Sequence, residues 1–285
     1  MPVSVGRAAP PPRSRRPSDP LRFPARIGFG LGSGGASPAD VVVAVSIQPQ
    51  SDRAAYSGSA PSNLRSMIRA VVFDVGECLV NETREYGTWA DWLGVPRHTF
   101  AAMFGAVIAQ GRDYRETFQE FQPGFDLTEE REKRAAAGKP EWFGEDDLYA
   151  DVRPSLTALR EAGLWVGIAG NQTVRAGGLL RGLDLPSDLI ATSDDWGASK
   201  PDVAFFEHVI KATPAEPGEI LYVGDRLDND IRPAVQAGLL TALIRRGPWG
   251  TIQQHDPDAD TSTTMRIDSL AELPEKIAKF NAGER

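Results

Sequence analysis

Residues 69–79 read RAVVFDVGECL. The four apolar residues 70–73 form an uninterrupted run between an arginine and an aspartate, a pattern typical of a strand that is buried on both faces of a sheet. Asp74 follows the run directly. Because the carboxyl ends of the strands border the ligand crevice in an open α/β sheet, this pattern predicts that Asp74 faces a bound ligand from a rigid element.

Two later segments extend this signal. Residues 199–202, SKPD, precede a helical pattern, and residues 219–225, EILYVGD, form a second apolar strand that ends in Gly224 and Asp225. Asp230 lies five residues beyond Asp225. Three separated signals in this order are far more specific than any one of them alone.

This set of motifs resembles the haloacid-dehalogenase-like (HAD) hydrolase superfamily, and more narrowly its members with an α-helical (C1-type) cap inserted after the first motif. The resemblance spans residues 67–285. The family motifs are DxDx[TV], a strand that ends in Ser or Thr, a lysine, and GDxxxxD. Asp74 matches the nucleophile of the first motif, Lys200 matches the third, and Asp225 with Asp230 match the fourth.

The resemblance implies phosphoryl transfer, in which the Asp74 carboxylate attacks phosphorus and water then cleaves the aspartyl-phosphate. It also implies Mg²⁺ as cofactor, held by Asp74, Asp225 and the main-chain carbonyl of Gly76, with Asp230 ordering the position beside the metal. Lys200 would supply further positive charge against the repulsion between carboxylate and phosphate. Asp228 is an alternative to Asp230, because residues 225–230 offer more than one acid.

Two positions depart from the family motifs. Gly76 stands where the family has a second aspartate, which is implied to give both a main-chain carbonyl to the metal and a carboxyl group for acid–base catalysis. Glycine keeps only the carbonyl. Glu77 is the nearest substitute for the missing carboxyl, although an exposed loop acid is its simpler interpretation.

The second departure is Gly170, which stands where the family has Ser or Thr to bind the transferring phosphate. The main-chain amide of Gly170 and the side chain of Asn171 are the predicted replacements, at an expected helix amino end suited to anions. Cys78 occupies the last position of the first motif and is expected to be a packing residue.

Within residues 67–285 the apolar period switches repeatedly between strand and helix. This predicts an α/β fold with a doubly wound parallel sheet, a Rossmann-like HAD core with helices on both faces. Strands are predicted at residues 70–74, 165–169, 189–192, 220–224 and 241–245. Helices are predicted at residues 154–162, 174–182, 203–211, 228–237 and 270–281, with Pro201 in the first turn of the third.

The interval 83–151 interrupts this rhythm. It contains no convincing strand, and helical patterns recur at residues 100–109, 114–121, 129–137 and 145–149. We therefore expect residues 83–151 to form an inserted helical cap, with the HAD-like core built from residues 67–82 and 152–285. Candidates for substrate selection in the cap are Arg84, Trp89, Trp92, His98 and Arg112, although aromatic residues at helical spacing more often form a core.

Charge is unevenly distributed along the chain. Residues 1–66 contain eight Arg, no Lys and three Asp, a net charge of +5, and since the whole chain carries −8, residues 67–285 carry −13. So acidic a region is unsuited to holding nucleic acid through contacts to its phosphate backbone, and nucleic acid partners are not expected. No run approaches 18 apolar residues, so no membrane span is expected.

The single cysteine, Cys78, excludes an intrachain disulfide and favours a reducing compartment. We therefore expect a cytoplasmic protein, and the family resemblance implies a small phosphorylated metabolite as its partner. The sequence contains no signal for an oligomeric state.

Residues 1–66 are rich in Pro, Ser, Gly and Ala, a composition that predicts disorder because it buries too little apolar surface. They are expected to be a disordered leader or an upstream extension produced by a misplaced start, since Met67 lies just before the first strand. An Arg-rich and acid-poor beginning is also typical of an organellar transit peptide.

Three functions fit these observations. The first is a magnesium-dependent phosphatase of a small phosphorylated metabolite. The second is a catalytically impaired HAD-like protein that binds a ligand or a partner, favoured by Gly76 and Gly170. The third is a 2-haloacid dehalogenase, which shares the nucleophile but normally needs no magnesium and lacks the Gly-Asp motif, so Asp225 argues against it.

We expect a chain that starts at Met67 to keep the melting temperature and the activity of the full chain, because a disordered leader adds little to stability. Calorimetry and activity assays on the two forms check this. A much lower melting temperature of the shortened chain would show that residues 1–66 pack on the domain.

Overall fold

A computed structural model describes residues 67–284 of the chain. They contain a six-stranded sheet in which every neighbouring pair of strands is parallel. Its strands are β1 (Ala70–Phe73), β2 (Trp165–Gly170), β3 (Leu189–Thr192), β4 (Ile220–Gly224), β5 (Leu240–Ile244) and β6 (Met265–Ile267). The prediction for residues 1–66 concerns a segment outside the described residues.

The strand order is β3-β2-β1-β4-β5-β6, which confirms the doubly wound α/β fold. The chain builds outward from β1 to β3 and then returns to the other side of β1 for β4. Phe73 at the end of β1 is in register with Ile168 on β2 and Val223 on β4. Since the direction of the strand order reverses between β1 and β4, a ligand crevice is expected at their carboxyl ends, where Asp74 and Asp225 lie.

Helices flank the sheet and fill the interval between β1 and β2. In chain order they are α1 (Thr83–Leu93), α2 (Arg97–Ala109), α3 (Glu116–Phe121), α4 (Leu127–Ala136), α5 (Val152–Glu161), α6 (Val174–Gly182), α7 (Ser193–Trp196), α8 (Val203–Ala212), α9 (Arg232–Gln236), α10 (Gly247–Ile252), α11 (Asp258–Thr261) and α12 (Leu273–Ala282). Short 3₁₀ turns occur at Glu145–Asp147, Pro217–Glu219, Gln253–His255 and Leu270–Glu272. No helix within residues 67–284 is long and apolar enough to cross a membrane.

The core lies in two apolar layers, one on each face of the sheet. Strand β1 contributes to both, because Val71 and Phe73 pack on one face and Ala70 and Val72 on the other. The first layer includes leucines of α5 and α12, and the second includes Phe205 and Phe206 of α8. This two-sided burial holds the strand ends rigid, and with them the side chains that follow.

The four helices α1 to α4 form a separate apolar cluster that is built mainly from aromatic rings. Its buried members are Trp89, Ala90, Phe100, Phe104, Ile108, Phe118 and Phe125, together with Trp249 of α10. The Phe104 and Trp249 rings meet edge to face with centroids 5.2 Å apart. The inserted helices therefore have their own core, and α10 joins it to the sheet.

Five of the strands and α-helices were absent from the sequence prediction, namely β6, α1, α7, α10 and α11. Strand β6 has only three residues, two of them partly exposed, which is too short for a periodic signal. Helix α1 contains Gly87 and several aromatic residues of modest helix propensity, and it forms because Gly87, Trp89 and Ala90 bury their face against the other inserted helices.

Two predicted helices and the predicted placement of one proline were wrong in detail. Residues 145–149 form only a 3₁₀ turn, because Leu148 bridges to Val80 as extended chain. Residues 228–237 divide into a π-helical turn, Leu227–Ile231, and the shorter helix α9. Pro201 precedes α8 instead of lying in its first turn, and Asp202 caps that helix by accepting a hydrogen bond from the amide of Ala204.

Asp151 ties the beginning of α5 to two distant loops. Its Oδ2 accepts hydrogen bonds from the Ser269 hydroxyl at 2.6 Å and the Leu270 amide at 2.9 Å, and it pairs with the Arg246 guanidinium. Burial acts to raise the pKa of Asp151, but these hydrogen bonds outweigh it and lower the pKa below its usual value. The carboxylate thus stabilises the folded chain at neutral pH.

We expect Asp151→Ala to lower the free energy of unfolding by about 2–4 kcal/mol, because it leaves the mostly buried Arg246 without its partner. Urea unfolding followed by tryptophan fluorescence measures this. The matched control is Asp268→Ala, whose ion pair with Arg245 is exposed and should be worth less than about 1 kcal/mol. Equal effects of the two substitutions would contradict the prediction.

Candidate active site

Three carboxylates and one ammonium group form a buried cluster at the carboxyl ends of β1 and β4. Oxygen atoms of Asp74, Asp225 and Asp230 all lie within 4.8 Å of one another. The Nζ atom of Lys200 donates to Asp74 Oδ1 at 2.5 Å and to Asp230 Oδ1 at 2.6 Å. The structure therefore brings together the four charged residues that the motifs singled out.

Asp74 is held directly at the end of β1, where its amide donates to the carbonyl of Val223 at 2.9 Å. Burial raises the pKa of Asp74 to about 6, and the Lys200 ammonium opposes that rise. The group is therefore a carboxylate at neutral pH, and its Oδ2 is not engaged by Lys200. Such a carboxylate can act as a nucleophile.

Lys200 keeps its charge although it is almost completely buried. Burial lowers the pKa of a lysine, but the carboxylates of Asp230 and Asp74 raise that of Lys200 well above its usual value. The loop that carries Lys200 is fixed by Asn171, whose side-chain amide donates to the Lys200 carbonyl and accepts from the Lys200 amide, both at 2.8 Å. In this arrangement Asn171 positions the lysine.

Asp225 is the least satisfied member of the cluster. Its Oδ2 is buried and has no hydrogen-bond partner among the described residues. Burial, followed by the negative charges of Asp230 and Asp74, raises the pKa of Asp225 well above its usual value. Three acidic groups face a single ammonium here, and carboxylate oxygens are the donors that Mg²⁺ prefers. The donor set therefore fits a divalent cation.

Asp230 is completely buried within the π-helical turn. Its Oδ2 accepts a hydrogen bond from the Arg226 amide at 3.0 Å, which widens the turn around the carboxylate. A Cβ atom on Gly224 would lie 2.4 Å from that oxygen, so glycine is required at the end of β4. Asp228 instead pairs with Arg226 outside the cluster, and the geometry favours Asp230 over this alternative.

The two family departures have different surroundings. A Cβ atom on Gly170 would lie 2.6 Å from Asp74 Oδ1, so the close approach of Asp74 occupies the space of a side chain there. Near Gly76, the expectation of an exposed Glu77 was wrong. Glu77 is 6% exposed, takes the left-handed conformation with φ of 50°, and accepts a hydrogen bond from the Tyr149 hydroxyl.

A cleft of about 540 Å³ opens above the cluster. Asp74, Lys200 and Asp225 lie at its base, and Tyr86, Arg112, Tyr114 and Arg131 of the inserted segment line its walls. Of the five residues considered for substrate selection, Arg112 alone is among the lining residues, while Trp89 is buried in the aromatic cluster and Arg84 pairs with Asp147.

Arg131 was missed by sequence reasoning. Its Nε is buried without a hydrogen-bond partner, and it forms no ion pair with any residue in the range 67–284. The other arginines of the cleft are paired: Arg112 with Glu116 and Glu120, Arg115 with Asp113, and Arg226 with Asp228. No local sequence signal separates Arg131 from these neighbours, because only the packing of the helices does so.

Similar proteins match most of the described chain. A family model for haloacid dehalogenase-like hydrolases matches residues 68–238. A glyceraldehyde 3-phosphate phosphatase of Methanopyrus kandleri is 33% identical over 135 residues, which cover 46% of this chain and 58% of that protein. A ribulose-1,5-bisphosphate 5-phosphatase of Halopiger xanaduensis is 30% identical over 145 residues, which cover 48% and 59%. The chain thus spans little more than half the length of these relatives.

Two solved structures show the same fold. The HAD-hydrolase YfnB of Bacillus subtilis, bound to magnesium, aligns with a TM-score of 0.54 and 18% identity over 74% of this chain and 99% of that one. A dehalogenase with an intermediate complex aligns with a TM-score of 0.53 and 20% identity over 75% and 99%. Because the family model covers more than half of the sequence and the fold agrees with it, the chain belongs to the haloacid dehalogenase-like hydrolase family.

Proposed function

We propose that this hydrolase is a magnesium-dependent phosphatase of a small phosphorylated metabolite that acts through an aspartyl-phosphate on Asp74. The observation that carries the proposal is the buried cluster of Asp74, Lys200, Asp225 and Asp230 at the point where the strand order reverses. A nucleophilic carboxylate next to a fixed ammonium suits attack on a phosphate, whose negative charge must be offset.

Each residue of the cluster has a separate proposed role. Asp74 is ionised at neutral pH, and its Oδ2 would attack phosphorus while Lys200 offsets the charge of the phosphate oxygens. Asp230 would act indirectly, since it holds Lys200 and the turn that follows Asp225. Gly170 lies beside Asp74, and Asn171 lies beside Lys200. The main-chain amide of Gly170 and the side-chain amide of Asn171 are the proposed further contacts to the substrate phosphate.

Magnesium would be held by Asp74, Asp225 and the main-chain carbonyl of Gly76, with Asp230 ordering the site. The unpartnered Oδ2 of Asp225 supports this assignment, because an uncompensated buried carboxylate is costly without a cation. When bound, the ion supplies the positive charge that one lysine cannot provide for three carboxylates and a phosphate.

Residues 83–151 are proposed to be the cap that covers the substrate, with residues 67–82 and 152–285 as the core. The contribution of α1 and α4 to the cleft wall supports this division, and Arg131, which forms no ion pair within residues 67–284, supports an anionic substrate. The named activities of the two relatives concern small phosphorylated sugars, in keeping with a cleft of about 540 Å³. A cytoplasmic location is proposed from the single cysteine.

The alternative of a catalytically impaired binding protein rests on two observations, the absence of a side chain at position 76 and at position 170. The 2-haloacid dehalogenase is less suited to the site, because attack on carbon does not require the cation that the carboxylate cluster fits. Chloride release from 2-chloropropionate would favour the dehalogenase, and cation binding without turnover would favour the impaired protein.

We expect Mg²⁺ to raise the melting temperature of the wild type, with a stabilisation of about 2–3 kcal/mol at one hundred times its dissociation constant. Asp225→Asn should melt no lower than the wild type without metal, because it removes one of three repelling charges, and it should lose the rise. Scanning fluorimetry with added Mg²⁺ measures both. Asp228→Asn is the control and should keep the rise, so an unchanged rise in Asp225→Asn would refute the metal assignment.

We expect hydrolysis of 4-nitrophenyl phosphate to require a divalent cation and to fall by roughly 10⁴-fold or more in Asp74→Asn, because the amide cannot form the covalent intermediate. Steady-state assays with and without chelator test both statements. The control is Asp268→Asn, the same substitution at an exposed aspartate outside the cluster. Turnover without metal, or substantial activity in Asp74→Asn, would exclude this mechanism.

A further inference from the structure

A carboxylate from elsewhere in the chain occupies the space beside Gly76. A Cβ atom added to Gly76 would lie 2.7 Å from Oε1 and 2.9 Å from Cδ of Glu82. Glu82 also lines the cleft together with Asp74 and Asp225. Two residues after Asp74, where the side chain is absent, the cleft therefore still contains a carboxyl group.

Glu82 differs from the other acids of the cleft. Asp113 pairs with Arg115, Asp228 pairs with Arg226, and Asp194 accepts a hydrogen bond from the amide of Val174. The Glu82 carboxylate has no ion pair and no hydrogen bond within residues 67–284, and the residue is half-buried. Outside the cluster around Lys200, it is the one acid of the cleft that is not committed to a protein partner in the described range.

The backbone that carries Glu82 is fixed by Glu77. The amide of Glu82 donates to Glu77 Oε1 at 3.2 Å, and the other oxygen of Glu77 accepts from the Tyr149 hydroxyl. A Cβ atom on Gly247 would lie 2.5 Å from Cγ of Glu77, so the glycine leaves room for this buried acid. Glu77 is thus a positioning residue, and its carboxylate is used inside the turn instead of in the cleft.

We propose that Glu82 is the general acid and base of the reaction, a role that rests on the proposed phosphatase function. As Asp74 Oδ2 bonds to phosphorus, the bond from phosphorus to the leaving oxygen breaks, and the proton of the Glu82 carboxyl group passes to that oxygen. In the second half, the Glu82 carboxylate takes a proton from water while the water oxygen bonds to phosphorus. The bond between Asp74 and phosphorus breaks, which restores Asp74 and releases inorganic phosphate.

The test compares two substrates whose leaving groups differ in their need for a proton. In Glu82→Gln, kcat/KM for glycerol phosphate should fall by about 10²–10⁴-fold, whereas kcat/KM for 4-nitrophenyl phosphate should fall less than about tenfold. Because the base for the second half is also lost, 4-nitrophenolate should appear in a burst of one equivalent. Glu85→Gln, in the first turn of α1, which begins directly after Glu82, but not among the residues that line this cleft, should leave the ratio of the two kcat/KM values unchanged.

A transfer of the carboxyl group provides a second, independent test. Glu82→Ala vacates the space next to Gly76, whose backbone is outside the left-handed region and therefore accepts a side chain. Gly76→Asp combined with Glu82→Ala should recover at least about tenfold of the glycerol phosphate activity that Glu82→Ala loses. A purely structural role of Glu82 predicts no such recovery.

Several outcomes would overturn the proposal. Equal losses on both substrates in Glu82→Gln, or no loss on either, would exclude Glu82 as the acid while the phosphatase function stands. Loss of the Mg²⁺-induced rise in melting temperature in Glu82→Gln would make Glu82 a metal ligand. A wild type that hydrolyses neither substrate would instead remove the proposed function, and this inference with it.

Discussion

The buried ammonium of Lys200 is the interaction on which the rest of the site depends. It joins Asp74 at the end of β1 to Asp230 in the turn after β4, so it spans the boundary between the two halves of the sheet. Without that charge, two carboxylates would repel each other in a region that water hardly reaches. Asn171 holds the loop before α8, and the Arg226 amide holds the turn around Asp230. The backbone that carries Lys200 and the backbone that carries Asp230 are thus both fixed in the positions that this ion pair needs.

The sheet could be predicted because burial on both faces produces long apolar runs. The limits of β3 and β4 agree with the predicted limits, whereas β6 was not predicted because a strand of three residues, two of them partly exposed, carries no periodic signal. The cluster of Asp74, Lys200, Asp225 and Asp230 could also be predicted, because Asp74 and Asp225 directly follow the buried strands β1 and β4 and the family motifs pointed to Lys200 and Asp230. Irregular backbone could not be predicted: the π-helical turn includes a hydrogen bond from the Arg226 amide to the Asp230 side chain, and such a contact has no periodic sequence signal.

The position of Glu82 in the cleft could not be predicted for a different reason. Glu77 is adjacent to Gly76 in sequence, yet its backbone turns into the left-handed region and its carboxylate points into the protein. Glu82 is six residues from Gly76 and lies against it, because the chain folds back between them through the bridge of Gly76 with Val80. Distance along the chain is therefore a poor guide to contacts inside a turn. Sequence is equally uninformative for Arg131, because its lack of an ion pair among the described residues depends on how the inserted helices pack.

Trp249 contacts both the aromatic cluster of the inserted helices and Arg226, the neighbour of Asp225. Its indole belongs to the aromatic cluster of α1 to α4, while the Arg226 guanidinium, next to Asp225, lies over the same ring at 4.3 Å. Pulling the inserted helices away from α10 would return most of one indole to water, which costs up to about 5 kcal/mol. Access to the cleft and the conformation of the loop around Asp225 therefore both depend on the contacts of one indole, so a movement of the inserted helices away from α10 would also loosen Arg226 beside the proposed cation ligand.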